Sequence, residues 1–233
     1  MYHYFLLFAI VIAGVASLSG DQEPPLLKAA RDGDTKTIEH LLSSGADVNA
    51  KDEHAQTALM YSADNGHLQA VKILLSKGAK VDAQNALSAT ALMLAANRRH
   101  LEVVKALLGA GAAVNVTASH GFTPLSVTVS GRDENALRIV ELLITAGAEV
   151  NSQDDEARTP LMMACSGPPA PPAPPPGGKA PPIDTQLQTV ESLLKSGARL
   201  DLKDKYDQTA LDYARYYGNE DLAKMLRDWR AGH

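Results

Sequence analysis

Residues 57–82 read TALMYSADNGHLQAVKILLSKGAKVD, and the chain repeats this stretch 33 positions further on. The shift places Thr57 on Thr90 and Gly78 on Gly111. The apolar positions between these anchors match as well: Leu68 with Leu101, Val71 with Val104, Leu74 with Leu107 and Leu75 with Leu108. A match of this length at a fixed period predicts a repeat protein.

Two short sequence motifs extend this repeat along the rest of the chain. Gly-Ala recurs at positions 45, 78, 111, 147 and 197, and Thr-(Ala/Pro)-Leu recurs at 57, 90, 123, 159 and 209. The Gly-Ala spacings are 33, 33, 36 and 50 residues, so two repeats are longer than the others. Comparing the two series places each insertion between a threonine and the following Gly-Ala, which is inside a repeat.

Each unit has the pattern of two short antiparallel helices. Thr57 precedes an apolar run and is typical of a helix N-cap, and Gly66 favours the left-handed conformation that ends a helix. The second helix of the unit carries its leucines and valine on one face, at spacings of three and four residues. A helix pair this small cannot bury its own apolar stripe, so neighbouring pairs must stack into one continuous core. The pattern therefore predicts an all-α solenoid.

The unit resembles the ankyrin repeat. The resemblance rests on Thr-Pro-Leu at 123–125 and 159–161, on Gly66-His67-Leu68, and on the Gly-Ala-x-Val-(Asn/Asp) phrase that closes the repeats. It covers residues 26–230 and implies about six repeats, the first and last of them caps, with short β-hairpin fingers along one edge. In particular, the chain resembles exported bacterial members of the family. The family binds proteins through its fingers and inner helices, which implies a protein partner here.

The chain departs from the family pattern at two places. The histidine that follows Thr-Pro-Leu in the family is replaced, and we expect methionine to fill its space at 60, 93 and 162. The hairpin glycine is present only as Gly121, and the equivalent slots hold Ala55, Ser88, Ala157 and Asp207. The turn geometry of those four fingers is therefore open at the sequence level.

Residues 1–20 are predicted to be a secretory signal peptide. They contain no charged side chain, and an apolar run from Phe5 to Ala16 is followed by small residues. An uncleaved membrane anchor formed by residues 5–19 and a buried N-terminal helix are the alternatives, although the run is shorter than the roughly 20 residues of a membrane-spanning helix. Residues 21–25 form a polar lead-in. We therefore expect a periplasmic or secreted protein.

Residues 167–183 form a proline-rich insertion within the fifth repeat. Proline removes backbone donors and fixes φ, so this stretch is expected to be non-helical and to separate the two helices of that repeat. Two interpretations remain open. The Pro-x-x-Pro spacing within 168–175 suits a ligand of a proline-binding domain. A tolerated surface insertion is the favoured interpretation, because the entropy of loop closure rises only slowly with length.

The sequence gives no indication of catalysis, a cofactor or a metal site. Cys165 is the only cysteine and occupies a small-residue slot of a helix, which predicts a packed thiol without a disulfide. His67 and His100 hold the same position in adjacent repeats, and no carboxylate or cysteine joins them at metal-ligand spacing. The 22 Lys and Arg residues are scattered among 27 acidic ones, without the basic face that nucleic acid needs.

The predicted function is non-catalytic protein binding by an exported monomer that acts as a scaffold, an accessory protein or an inhibitor. A secreted effector that acts on a host or competitor protein is the first alternative, and an enzyme is the second. No small-molecule substrate is expected, and the membrane is involved only if residues 1–20 are retained. The family's variable positions place the partner-binding residues at Glu53, His54, Gln56, Tyr61, Leu87, Leu94, His120, Phe122, Glu156, Arg158, Lys205 and Tyr206. Leu87, His120 and Phe122 would form an apolar centre between charged ends, unless Leu87 and Phe122 merely pack between fingers.

Overall fold

The computed structural model describes residues 24–167 and 185–232, which form six consecutive helix pairs. The first helices of the pairs are α1 (Pro25–Asp32), α3 (Ala58–Asp64), α5 (Ala91–Asn97), α7 (Pro124–Thr128), α9 (Pro160–Ala164) and α11 (Ala210–Tyr216). The second helices are α2 (Thr35–Ser43), α4 (Leu68–Ser76), α6 (Leu101–Gly109), α8 (Glu134–Thr145), α10 (Thr185–Lys195) and α12 (Glu220–Gly232). The predicted all-α solenoid of about six repeats is confirmed.

Threonine opens every first helix from the second repeat onward, as the sequence predicts. In each case the hydroxyl oxygen accepts the backbone N–H three residues later, over 3.2–3.4 Å. The five threonines share an extended backbone: Thr57, Thr90, Thr123, Thr159 and Thr209. The hydroxyl satisfies one of the amides that a helix start leaves without a partner, which fixes where each first helix begins.

The core is a single stack that runs the length of the solenoid. First helices pack on neighbouring first helices, and second helices pack on neighbouring second helices. Equivalent leucines of successive first helices, Leu59, Leu92, Leu125 and Leu161, are each at most 1% exposed. One cluster of buried side chains extends from Leu26 to Leu226. The core therefore belongs to the stack of repeats and not to any one of them.

Histidines in the turns between paired helices join one repeat to the next. The Nε2 atom of His67 lies 2.9 Å from the carbonyl oxygen of Arg31, and that of His100 lies 3.0 Å from the carbonyl of Asp64. A carbonyl only accepts, so Nε2 carries the proton in both rings. A β-carbon added to Gly66, whose φ is +75°, would come within 2.7 Å of the His100 ring. The two histidines are structural, and glycine is required where the second ring packs.

At the opposite end of the helix pairs, the closing Asn or Asp of one repeat clamps the loop of the next. Asn115 receives the N–H of Glu149 at 2.9 Å and donates its Nδ2 to the carbonyl of Gly147 at 3.0 Å. Asn49 and Asn151 make the same pair of bonds to the following repeat. Asp82 receives the N–H of Ala113 at 2.8 Å, but a carboxylate has no N–H to donate to the carbonyl of Gly111.

The methionines and the cysteine are packed as predicted. Met60, Met93 and Met162 are at most 1% exposed and fill the slots that histidine occupies in the family. Cys165 is fully buried at the end of α9, and burial raises the pKa of its thiol to about 12. A thiol with this pKa carries almost no thiolate at neutral pH, so the side chain acts as a small apolar residue.

Several sequence predictions concern residues outside the described ranges. The predicted signal peptide, residues 1–20, and most of the proline-rich insertion, residues 168–183, are among them. Within residues 24–167 and 185–232, the helices are all too short or too polar to span a bilayer.

The missing donor at Asp82 generates a stability prediction. We expect Asp82→Asn to raise the free energy of unfolding by about 1 kcal/mol, because the new amide can donate to the Gly111 carbonyl. The reverse change, Asn115→Asp, removes the same bond from the following repeat and should lower it by a similar amount. Urea unfolding of the two variants and the parent chain measures both effects. Equal changes of the same sign in the free energy of unfolding of both variants would contradict the assigned bond to the glycine carbonyl of the next repeat.

Candidate partner-binding surface

Five loops project from the solenoid between the second helix of one repeat and the first helix of the next. We name them fingers 1 to 5, formed by residues 51–57, 84–90, 117–123, 153–159 and 203–209. In each finger a backbone N–H near its start donates to a carbonyl four residues later, over 2.8–3.1 Å. Within the described residues, an antiparallel bridge between Lys51 and Thr57 is the whole β-structure. The predicted β-hairpins are therefore tight hydrogen-bonded turns, too short to form strands.

An acidic or amide side chain holds four of the five fingers from within. The Oδ1 atom of Asp52 accepts the N–H groups of His54 and Gln56, at 2.9 and 2.8 Å. Asn85, Asp154 and Asp204 make the same two bonds in fingers 2, 4 and 5. Finger 3 has Ala118 at this position and instead contains a 3-10 turn over Ser119–Gly121. Finger 3, which lacks the acceptor side chain, is thus the finger that keeps the family's glycine, Gly121.

The slot of that glycine has the left-handed conformation in all five fingers. Gly121 has a φ of +76°, and the equivalent Ala55, Ser88, Ala157 and Asp207 have φ values of +57° to +60°. The turn geometry that the sequence left open is therefore alike in fingers 1, 2, 4 and 5. Finger 3 differs, because His120 is left-handed as well, with a φ of +62°. A side chain in this conformation costs about 1–2 kcal/mol relative to glycine, and the Asp or Asn bonds offset this strain.

Neighbouring fingers are bonded to one another through their backbones. The N–H of Ala86 donates to the carbonyl of His54 at 2.9 Å. The same link recurs from Ser119 to Leu87, from Asp155 to His120 and from Lys205 to Glu156, over 2.9–3.1 Å. The five fingers therefore form one continuous hydrogen-bonded ladder, which we call the finger ridge. Its backbone is ordered before any partner binds.

Tyrosines on the first helices brace two fingers from below. The hydroxyl of Tyr61 donates to Asp52 Oδ2 at 2.6 Å, and that of Tyr213 donates to Asp204 Oδ2 at 2.8 Å. The guanidinium of Arg31 lies over the Tyr61 ring, 4.7 Å from its centroid. Burial, together with the hydrogen bond to Asp52, raises the pKa of Tyr61 to about 12. Tyr61 therefore supports finger 1.

Ten of the twelve predicted binding residues are exposed or half-buried, and the other two are buried. Those on the open surface are Glu53, His120, Lys205 and Tyr206. Those that are half-buried are His54, Gln56, Tyr61, Leu87, Glu156 and Arg158. Arg158 is held by an ion pair with the buried Asp154, whose Oδ2 lies 2.6 Å from its Nη2 atom, so its guanidinium is used within finger 4.

Two predicted positions are wrong. Leu94 is 1% exposed and Phe122 is 8% exposed, and both belong to the buried core. Leu94 lies inside the α5 helix that packs between α3 and α7, so its side chain meets neighbouring helices and not the groove. The predicted apolar centre loses Phe122, and the middle of the ridge is formed by Ala86, Leu87 and His120.

The ends of the first helices that lie away from the fingers are exposed, which the sequence reasoning did not predict. Asn65, Arg98 and Tyr216 lie in the last turn of their helices or just beyond it, and all three are exposed. Arg98 Nε forms an ion pair with Asp64 Oδ1 of the preceding repeat at 2.9 Å. The residues that follow the buried Ala63, Ala96 and Ala214 were the available signal, because each of these alanines is the last buried position of its helix.

Charge is distributed unevenly along the finger ridge. Fingers 2 and 3 contain no Asp, Glu, Lys or Arg, whereas fingers 1, 4 and 5 contain several of both signs. No group of three or more His, Cys, Asp or Glu side chains within the described ranges is arranged to hold a metal ion. The ridge has an uncharged middle and charged ends, which is the usual composition of a surface that binds another protein.

The chain belongs to the ankyrin repeat family. The model for ankyrin repeats in three copies matches residues 4–85 and 82–154, and the model for many copies matches residues 182–227. No match was found among curated proteins.

Two solved structures are similar to this chain over most of its length. One is the immunity protein Bd3460 of Bdellovibrio bacteriovorus, in its complex with the predatory endopeptidase Bd0816. It shares 30% identity with this chain at a TM-score of 0.70, and the match covers 89% of this chain and 99% of that one. The other is an ankyrin repeat domain of Acinetobacter baumannii AYE, with 29% identity and a TM-score of 0.72, covering 88% of this chain and 97% of that one.

The left-handed finger residues generate a second prediction. Replacing Ala55, Ser88 or Ala157 by glycine should raise the free energy of unfolding by about 1 kcal/mol for each change, because the steric strain of a β-carbon at positive φ is removed. The matched control is Ala106→Gly inside α6, where the same change should destabilise by about 1 kcal/mol. Thermal or urea unfolding distinguishes the two signs, and a loss of stability in the finger variants would contradict the assigned strain.

The raised pKa of Tyr61 predicts a pH dependence. Its pKa is about 12 in the folded chain against a reference value of 10.0, so the folded state retains the proton longer. The stability that this retained proton contributes is complete below pH 10 and is lost as the pH rises to about 12. Urea unfolding between pH 9 and 12 should show a shallower decline for Tyr61→Phe than for the parent chain. Identical declines would contradict the role of this phenol.

Proposed function

We propose that this protein is an exported, non-catalytic inhibitor that binds a peptidase through its finger ridge and concave face. The observation that carries the proposal is the match to an immunity protein in complex with an endopeptidase, at 30% identity across 99% of that chain. The match covers 89% of this chain, so the likeness is not confined to one repeat. That immunity protein is in complex with an enzyme, and binding an enzyme needs a binding surface and no catalytic group.

The rigidity of the finger ridge supports a binding role. Its turns are held by Asp or Asn side chains, and its fingers are joined by backbone bonds. A surface that is ordered in advance loses little conformational entropy when it binds, so more of the contact energy remains as affinity. The uncharged middle at Ala86 and Leu87 offers a centre that is easily desolvated, and the charged ends offer orientation.

Export is the second part of the proposal. Residues 1–20 carry no charge and combine an apolar run with small residues before Gly20, which suits cleavage by a signal peptidase. The single cysteine is buried and so compatible with an oxidising compartment. In the periplasm or outside the cell, the inhibitor would meet a peptidase that works in that compartment.

The proposal is tested by expressing the chain with its own N-terminus and a C-terminal tag in the organism that encodes it. Fractionation and mass spectrometry of the intact protein establish the compartment and whether residues 1–19 are removed. Affinity purification followed by a peptidase assay establishes the partner. We expect a peptidase to co-purify and to lose at least nine-tenths of its activity when the chain is in excess.

The surface is tested with a pair of matched charge reversals. Lys205→Glu changes the exposed face of finger 5, and Lys72→Glu makes the same change on the exposed face of α4. We expect the first to weaken inhibition at least tenfold and the second to leave it unchanged. Equal losses would place the interface elsewhere. Capture of a protein that has no peptidase activity would replace the inhibitor with a scaffold or effector role.

A further inference from the structure

The finger ladder has an open acceptor at its C-terminal end. The carbonyl groups of His54, Leu87, His120 and Glu156 each accept an N–H from the following finger. Tyr206 holds the equivalent position in finger 5, which is the last finger of the described chain. Among residues 24–167 and 185–232, its carbonyl is reached only by the Nε2 atom of Gln208, at the long distance of 3.4 Å. No finger within these ranges donates to it, so a donor from another chain can occupy this position.

The side chain at this open rung is an exposed tyrosine. Tyr206 and Tyr216 are the two large apolar side chains that are well exposed in the described residues, at 64% and 71%. The other finger positions equivalent to Tyr206 hold histidine, leucine or glutamate. An aromatic ring that combines a large apolar face with few rotatable bonds is the residue type most often found at the energetic centre of protein interfaces.

Finger 5 is rigid beneath this tyrosine. The Oδ1 atom of Asp204 accepts the N–H groups of Tyr206 and Gln208, at 2.8 and 2.9 Å, and Tyr213 braces the second carboxylate oxygen. The N–H of Lys205 joins finger 4 through the Glu156 carbonyl at 2.9 Å. The backbone of Tyr206 is thus held in a fixed arrangement. Beside it, the carboxylate of Asp207 is 88% exposed and forms an ion pair with Lys203 Nζ at 3.4 Å.

We propose that the outer edge of finger 5 docks an extended segment of the partner protein, which continues the ladder by donating a backbone N–H to the Tyr206 carbonyl. The segment packs an apolar side chain on the Tyr206 ring, and a basic side chain beside it meets Asp207. An extended segment fits because it presents its N–H groups outward, as the neighbouring fingers do. The inference rests on the proposed function, since it names the part of the inhibitor surface that anchors the peptidase.

The experiment uses a photo-crosslinking residue, p-benzoylphenylalanine, introduced into the full-length chain at single positions in the producing cells. Position 206 tests the proposed edge, and position 53 tests finger 1 at the far end of the ridge. Position 216 is the matched control, because Tyr216 is an equally exposed tyrosine away from the fingers. We expect the peptidase to be crosslinked from position 206 at least tenfold more than from position 216. Mass spectrometry of the crosslinked peptide identifies the docked segment.

Affinity measurements with the crosslinked peptidase complete the test. Tyr206→Ala should weaken binding at least tenfold, and Tyr206→Phe, which keeps the ring, should stay within threefold of the parent. Gln208→Ala changes the same turn without removing the ring or the carbonyl and should not weaken binding. Thermal unfolding confirms that each variant is folded.

The outcomes separate the two proposals. Crosslinking from position 53 without crosslinking from 206, or full affinity of Tyr206→Ala, would overturn the docking edge and leave the inhibitor role intact. Equal crosslinking from positions 206 and 216 would also overturn it. Absence of peptidase crosslinks from every finger position would overturn both the docking edge and the proposed function.

Discussion

The structure depends on the inability of any one helix pair to bury its own apolar stripe. The first helices are only five to eight residues long, which is far below the length at which an isolated helix is stable in water. Each repeat therefore owes its order to the repeats beside it, and the leucines at 59, 92, 125 and 161 are buried because the next helix covers them. Polar bonds at both ends of the helix pairs then fix the register that apolar packing alone leaves free. His67 and His100 do this at one end, and Asn49, Asn115 and Asn151 do it at the other.

The fingers inherit their rigidity from this stack. Successive repeats are held at a regular separation, so the backbone of each finger lies within hydrogen-bonding distance of the last. The left-handed residues Ala55, Ser88 and Ala157 are tolerated because Asp or Asn side chains and the neighbouring fingers determine the turn completely. Side chains at the finger tips are then not required for the fold, so their identity can vary with the partner that they bind. Stability is concentrated in the helices and recognition in the loops that they position.

The sequence predicted the fold well because period, N-caps and apolar spacing all depend on residues close together in the chain. The five threonine caps, the packed methionines and the buried Cys165 were all predicted correctly. The candidate site was predicted less well. Leu94 and Phe122 were assigned to the surface, but both are buried in the core that successive repeats share. Contacts between repeats decide this burial, and no local sequence pattern encodes them. The inter-finger bonds were missed for a related reason, since they join backbone groups more than 30 residues apart.

The two lengthened repeats show why the finger edge can remain constant while the opposite edge varies. In repeat four the extra residues lengthen α8, which has twelve residues where α4 and α6 have nine, at its end away from the fingers. In repeat five they fall between α9 and α10 in the sequence. Asn151 still clamps Gly197 although 46 residues separate them, with the same geometry by which Asn115 clamps Gly147 across 32. Gln186, buried at the start of α10, donates to the Ala164 carbonyl and receives Asn219 Nδ2 from the last repeat. The helices therefore return to register through their own contacts whatever the length of chain between them. Because the entropy of closing a loop grows only slowly with its length, insertions at this edge leave the spacing of the fingers unchanged.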